Sequence, residues 1–278
     1  MAPDILERLS NIENHLASGQ TAEARPMLEA MLREIEVYID ESCVTTDQVQ
    51  YFSFSSQFEK LAYQRVENDP RQLVVVEAPF DRVYADYAFC LLSLNDPEAA
   101  AEALKQAVRW NPMDCAHRLD LAAVLNTLGN DDEFLRLSYS VFERASVSSH
   151  LVRAYLNFEQ AYEAAEEWET AAACAKCAWR MNDSDPRVLE TCERLAGEHQ
   201  CDPRKQADEL TQSLLDAQGI PDGANVAVVV CALLLSDIYL EQGDTDSAEQ
   251  LTWVAIDLVG QENARALKQL VREQAAGE

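Results

Sequence analysis

Apolar residues recur at intervals of three and four along most of the chain, interrupted by short polar turns. Over residues 81–94 the stripe is Tyr84, Tyr87, Ala88 and Leu91, the spacing of one face of an α-helix. Asn95-Asp96-Pro97-Glu98 then reads as a turn carrying an N-cap, with proline at the first helical position. Residues 98–110 repeat the helical spacing through Ala100, Leu104 and Ala107, and Asn111-Pro112 ends the run, because a residue before proline is driven out of the helical region. The pattern predicts a helix hairpin with small residues where its helices cross.

The same pattern returns along the chain. After Cys115 come Leu121, Ala122 and Leu125, a turn at Gly129-Asn130-Asp131, then Phe134, Ser138 and Val141. After Val152 come Tyr155, Phe158 and Tyr162, a turn at Glu166-Glu167-Trp168, then Ala171, Ala175 and Ala178. After Val229 come Ala232, Leu235 and Tyr239, a turn at Gly243-Asp244, then Ala248, Thr252 and Ala255. Units starting at 81, 115, 152 and 186 are separated by 34, 37 and 34 residues. A fixed period of this size signals stacked units, none able to bury its apolar face alone.

Outside these units the pattern loosens. Residues 3–17 and 20–42 predict another hairpin, with Gly19 in the turn and Ala24, Leu28, Met31 and Ile35 along the second helix. A helix is expected over about residues 47–68, carrying Phe52, Phe58, Leu61 and Tyr63. Residues 73–79, rich in valine, are expected to be an extended connector. Residues 186–198 and 203–217 predict a further pair, followed by the insert Gly219-Ile220-Pro221-Asp222-Gly223. Residues 226–239 are apolar nearly all round, which places them either between neighbouring helices or partly on a contact surface. Residues 261–275 predict a capping helix with a polar outer face, as the end of a stack requires.

These residues resemble the tetratricopeptide repeat family, whose unit of about 34 residues pairs two helices, A and B. The unit from Asp81 matches through Tyr84, Ala88, Ala100, Ala107 and Pro112. The unit from Val152 matches through Tyr155, Tyr162, Ala171 and Ala178, but carries Glu159 where a small residue is usual. The unit from Val229 matches through Tyr239, Gly243, Ala248 and Ala255, and the unit from Cys115 departs by placing Phe134 at an alanine position. The resemblance implies an all-α fold, an α-α superhelix built as a right-handed solenoid of about six helix hairpins with a C-terminal capping helix. The expected organisation is an N-terminal helical region over 1–80, then repeats over 81–260 with units near 81–114, 115–148, 152–185, 186–218 and 229–260, then a cap and tail over 261–278, in one continuous domain.

Composition agrees with helices. Only 8 glycines and 9 prolines occur in 278 residues, too few for the many tight turns of a β-sandwich or a doubly wound sheet. The formal charge of −27 repels phosphate backbones and anionic membrane surfaces, so neither nucleic acid nor membrane is an expected ligand. A basic protein partner is compatible, although acids also serve simply to keep a helical surface soluble. Residues 1–8 hold no apolar run of signal-peptide length. The longest apolar stretch, residues 226–235, is half the length of a membrane span. A cytoplasmic protein is expected, with its 8 cysteines mostly reduced and packed as small residues.

Motifs of catalysis are sparse. The closest glycine pair is Gly219 and Gly223, with no Lys-Ser or Lys-Thr behind it, so no phosphate cradle is expected. His15, His117, His150 and His199 share no spacing and are expected at surfaces or boundaries rather than as bases. Cys174-Ala175-Lys176-Cys177, with Cys192, His199 and Cys201 downstream, is the one pattern with zinc-like spacing. It falls inside a helix B, where cysteines act as compact packing residues.

In the implied solenoid, helix A of each unit lines the inner face. Partner-binding residues are therefore expected at Arg82, Phe89 and Leu92, at Leu119 and Asn126, and at Arg153, Asn157 and Gln160, accompanied by Ser93, Ala123, Leu156 and Glu163. Apolar groups would anchor a peptide while amides and arginines fix its backbone. No lysine stands among these positions, which disfavours the carboxylate clamp of chaperone-binding relatives. The expected function is a non-catalytic scaffold that binds a protein or peptide, without cofactor. The alternatives are a zinc-dependent enzyme or regulator using Cys174, Cys177 and Cys201, or a self-assembling structural protein.

Overall fold

A computed structural model describes residues 5–277, with side chains described through residue 273. Residues 1–4, where the first helix was expected to start, and residue 278 of the tail lie outside the described residues. Among the described residues the helices are α1 (Leu6–Ala17), α2 (Thr21–Ser42), α3 (Gln57–Glu67), α4 (Phe80–Ser93), α5 (Pro97–Trp110), α6 (Cys115–Thr127), α7 (Asp131–Arg144), α8 (Ser148–Ala164), α9 (Trp168–Met181), α10 (Pro186–Glu198), α11 (Asp208–Gln218), α12 (Val226–Glu241), α13 (Thr245–Val259) and α14 (Gln261–Gly277). Two short strands, β1 (Val49–Phe52) and β2 (Gln72–Val75), pair in parallel. Consecutive helices pack as hairpins, so the chain is an all-α helical repeat. No described helix is long and apolar enough to cross a membrane.

One device closes the hairpins. Gly19, Asn95, Gly129, Glu166 and Gly243 each adopt a positive φ, between 61° and 81°. In each case the next residue's N–H bonds back to the carbonyl five positions before it: Gln20 to His15, Asp96 to Leu91, Asn130 to Leu125, Glu167 to Tyr162 and Asp244 to Tyr239, all at 2.8–3.0 Å. This is the glycine-type helix stop that satisfies otherwise orphaned carbonyls. Its recurrence at 95, 129 and 166 follows the spacing of the units.

The chain divides into two compact units, the first ending at Phe134 and the second beginning at Leu135. In the first, α1 packs on α2, α2 on α4, α4 on α5 and α5 on α6. The core gathers Leu9, Ile12, Leu28, Met31 and Ile35 around Phe80 and Trp110, whose rings meet edge-to-face at 5.0 Å. The expected helix over 47–68 is corrected here: residues 49–52 form a strand and the helix starts at Gln57. Ser56 caps it through the Glu59 N–H, while Val49, Tyr51 and Phe52 suit the pleat and pair with Gln72, Val74 and Val75. The Ser53 N–H donates to the Trp110 carbonyl at 2.8 Å, docking the strand onto the end of α5.

In the second unit α8 and α9 form one hairpin, α12 and α13 another, and α14 packs on both α12 and α13. Helix α9 is buried on every side, from Thr170 through Ala178, because α8, α10 and α11 all pack against it. Its alanines and cysteines leave room for that many neighbours. Val228, Val229, Ala232, Leu233 and Leu235 of α12 are buried in the same way, although Val226, Ile238 and Leu240 remain exposed.

Candidate interaction grooves

In the first unit, α4, α5 and α6 enclose a groove of 440 Å³ lined by Ala85, Phe89, Leu92, Leu104, Asp120, Ala123 and Thr127 among others. Phe89 and Leu92 stay 52% and 41% exposed at its edge, while Ala88 and Leu104 of the buried stripe form its floor. The groove exists because Ala85, Ala88 and Ala123 are small where larger side chains would fill the space between two A helices. Exposed apolar groups beside a concavity are the usual mark of a binding surface rather than of a monomer's ordinary exterior.

The structure distributes the other expected residues of this unit differently. Leu119 is 1% exposed and packs in the core, so it offers nothing to a partner. Leu119 and Ala123 stand one turn apart on the same side of α6, so phase does not separate them; Leu119 is covered by neighbouring residues while Ala123 is left at the groove. Arg82 is exposed but ion-pairs with Glu13 of α1, and Asn126 lies outside the groove lining.

In the second unit, α8 and α10 enclose a polar groove of 450 Å³ lined by Arg153, Leu156, Asn157, Glu159, Gln160, Glu163, Arg187 and Arg194. Arg153, Asn157 and Gln160, expected on an inner face, all line this groove. Asn157 donates to Ser138 Oγ at 2.9 Å, which leaves Gln160 as the exposed amide. Arg187 and Arg194 come from α10, the first helix of the following unit, and were not foreseen, because period alone does not say which residues of one unit face another. Arg187 donates to Asp185 and holds its carboxyl below the usual carboxylate range. Arg194 joins Glu159 at 2.9 Å and also reaches Glu163. Burial pushes the Glu159 carboxyl up, and the Arg194 bond opposes that rise. His199 stacks on Trp168 at 3.8 Å and closes the network against Glu163.

The tetratricopeptide repeat family model matches residues 81–113, the segment that forms α4, α5 and the wall of the apolar groove. The chain carries a tetratricopeptide repeat. Its buried stripe holds Tyr84, Ala88, Ala100 and Ala107, the residues on which that likeness rests. No curated protein matches the chain.

The zinc-like cysteine pattern does not assemble. Cys174 and Cys177 are buried within α9, and among the described residues neither gathers with other donors into a group able to hold a metal. Burial drives the Cys174 thiol above the ordinary range and the Cys177 thiol up to about 12. Such thiols are inert packing groups rather than nucleophiles.

Proposed function

We propose that this chain is a non-catalytic scaffold that binds a protein or peptide through the helix-A surfaces of its tetratricopeptide-like units. The observation that carries the reading is the exposed pair Phe89 and Leu92 above the apolar groove, within the segment that matches the family. Apolar anchors of this kind in a preformed concavity supply most of the energy of a peptide interface. In the second unit, Arg153, Asn157 and Gln160 offer polar groups suited to holding a peptide backbone. The formal charge of −27 favours a basic partner through steering and through complementarity at the rim.

The test is capture of partners on the immobilised chain, run beside Phe89→Glu/Leu92→Glu and beside an acidic control protein. One partner retained by the native chain, lost from the double variant and absent from the control supports the reading. Retention that ignores the double variant and dissolves with salt as it does on the control overturns it.

A further inference from the structure

His117 was expected at a surface or boundary; its side chain is only 9% exposed. It lies in the first turn of α6, where Asp114 is the N-cap and accepts hydrogen bonds from the Ala116 and His117 N–H groups through Oδ1. The other carboxylate oxygen of Asp114 stands 3.6 Å from His117 Nε2. Asp81, in the first turn of α4, places its Oδ2 3.5 Å from the same nitrogen. Both separations exceed a good N–H···O bond, and His117 Nε2 and Asp81 Oδ1 are each sealed from solvent without a hydrogen-bond partner. Asp81 is itself buried, its side chain 4% exposed. Two carboxylates thus converge on a buried imidazole nitrogen, with all three donor atoms within 4.8 Å of one another.

We propose that Asp81, Asp114 and His117 bind one divalent transition-metal ion, with zinc as the best fit. Ligands of a tetrahedral zinc, bonded at about 2.0–2.1 Å, sit about 3.3–3.4 Å apart, close to the separations of 3.5 and 3.6 Å here. The charges balance, since two carboxylates and a neutral imidazole are neutralised by a dication, whereas a proton on His117 leaves one negative charge over. Asn111 Nδ2 donates to Asp81 Oδ2 at 3.3 Å and to Glu59 Oε2 at 3.1 Å, the kind of outer support that orients a ligating carboxylate. Asp114 is 31% exposed, which leaves an open side for the ion and for a water as fourth ligand. The ion would tie the start of α4 to the start of α6, the first turns of two successive A helices. No other group of three such donors occurs among the described residues.

The experiment uses the full chain, stripped with a chelator and titrated near neutral pH with Zn²⁺ by calorimetry and with Co²⁺ by absorbance. Saturation at one ion per chain is expected. The cobalt form should show visible d–d bands without the near-ultraviolet thiolate-to-cobalt band, since no cysteine ligates. Zn²⁺ should also raise the melting temperature, because it binds the folded state alone. Asp114→Asn keeps an effective helix cap but removes a charged ligand, and should weaken Zn²⁺ binding by at least the roughly 10- to 100-fold that losing a mere orienting partner of a ligand costs; His117→Gln should do the same. Absence of saturable binding overturns the proposal. So does unchanged affinity in both variants, or a thiolate charge-transfer band, which places the metal on cysteines instead.

Discussion

Arg194 on α10 donates a 2.9 Å hydrogen bond to Glu159 Oε1 on α8, at a position where the repeat family carries a small residue. The carboxylate is 4% exposed, so its charge depends on this one guanidinium. Removing one member of a buried pair strands the other, whereas removing both can be close to neutral. Arg194→Met should therefore cost about 3 kcal/mol at neutral pH, and Glu159→Ala/Arg194→Met should recover most of it. Urea denaturation of the three proteins checks this. Two additive losses would mean that the pair is not coupled.

Glu166 occupies the left-handed turn position that other hairpins give to Gly19, Gly129 and Gly243. A side chain there costs about 1 kcal/mol, partly offset by the greater chain entropy that glycine loses on folding. Glu166→Gly should stabilise by about 0.5 kcal/mol. Gly129→Ala should cost about 1 kcal/mol, even though an added Cβ meets nothing within 4 Å. Equilibrium unfolding of both variants measures the effects. A neutral Gly129→Ala would show that φ is not what selects glycine.

Asp86, on α4, has one carboxylate oxygen sealed from solvent without a partner. Burial, with the neighbouring charge of Glu13, pushes its carboxyl up to about 6 from a reference of 3.8. The folded state therefore holds a proton that the unfolded state releases between those values, so this group's contribution to stability falls as pH rises through the window. Asp86→Asn cannot ionise. It should match the parent near pH 4 and exceed it by about 1–2 kcal/mol above pH 6, after allowance for partial exposure. Stability measured across pH 4–7 should show the gap opening; parallel curves would refute the assignment.

Cys201 is partly exposed, and the other seven cysteines are buried. Iodoacetamide should modify Cys201 first in the native chain, with Cys174 and Cys177 protected until unfolding, because burial raises their thiols and blocks access. Peptide mapping after timed alkylation reads this directly. Early modification of Cys174 would mean that α9 opens locally.

Period and turn chemistry determined the repeats without any coordinates. The stripes of Tyr84, Ala88, Ala100 and Ala107, and of Tyr155, Ala171 and Ala178, are buried as the spacing requires, and the turns fall at Asn95, Gly129, Glu166 and Gly243. These signals are local, since a helix face and its stop are written within about ten residues. Tertiary structure decided the rest. Whether residues 49–52 become strand depends on pairing with residues 72–75, a contact that no local window contains. Leu119 is buried while Ala123, one turn further along the same side of α6, lines the groove, because which turn of a helix is covered is set by its neighbours and not by its own sequence. Arg194 meets Glu159, and Asp81 meets His117, across 35 and 36 residues of sequence. Each such juxtaposition comes from stacking successive helices, and side-chain chemistry at that distance is invisible to period.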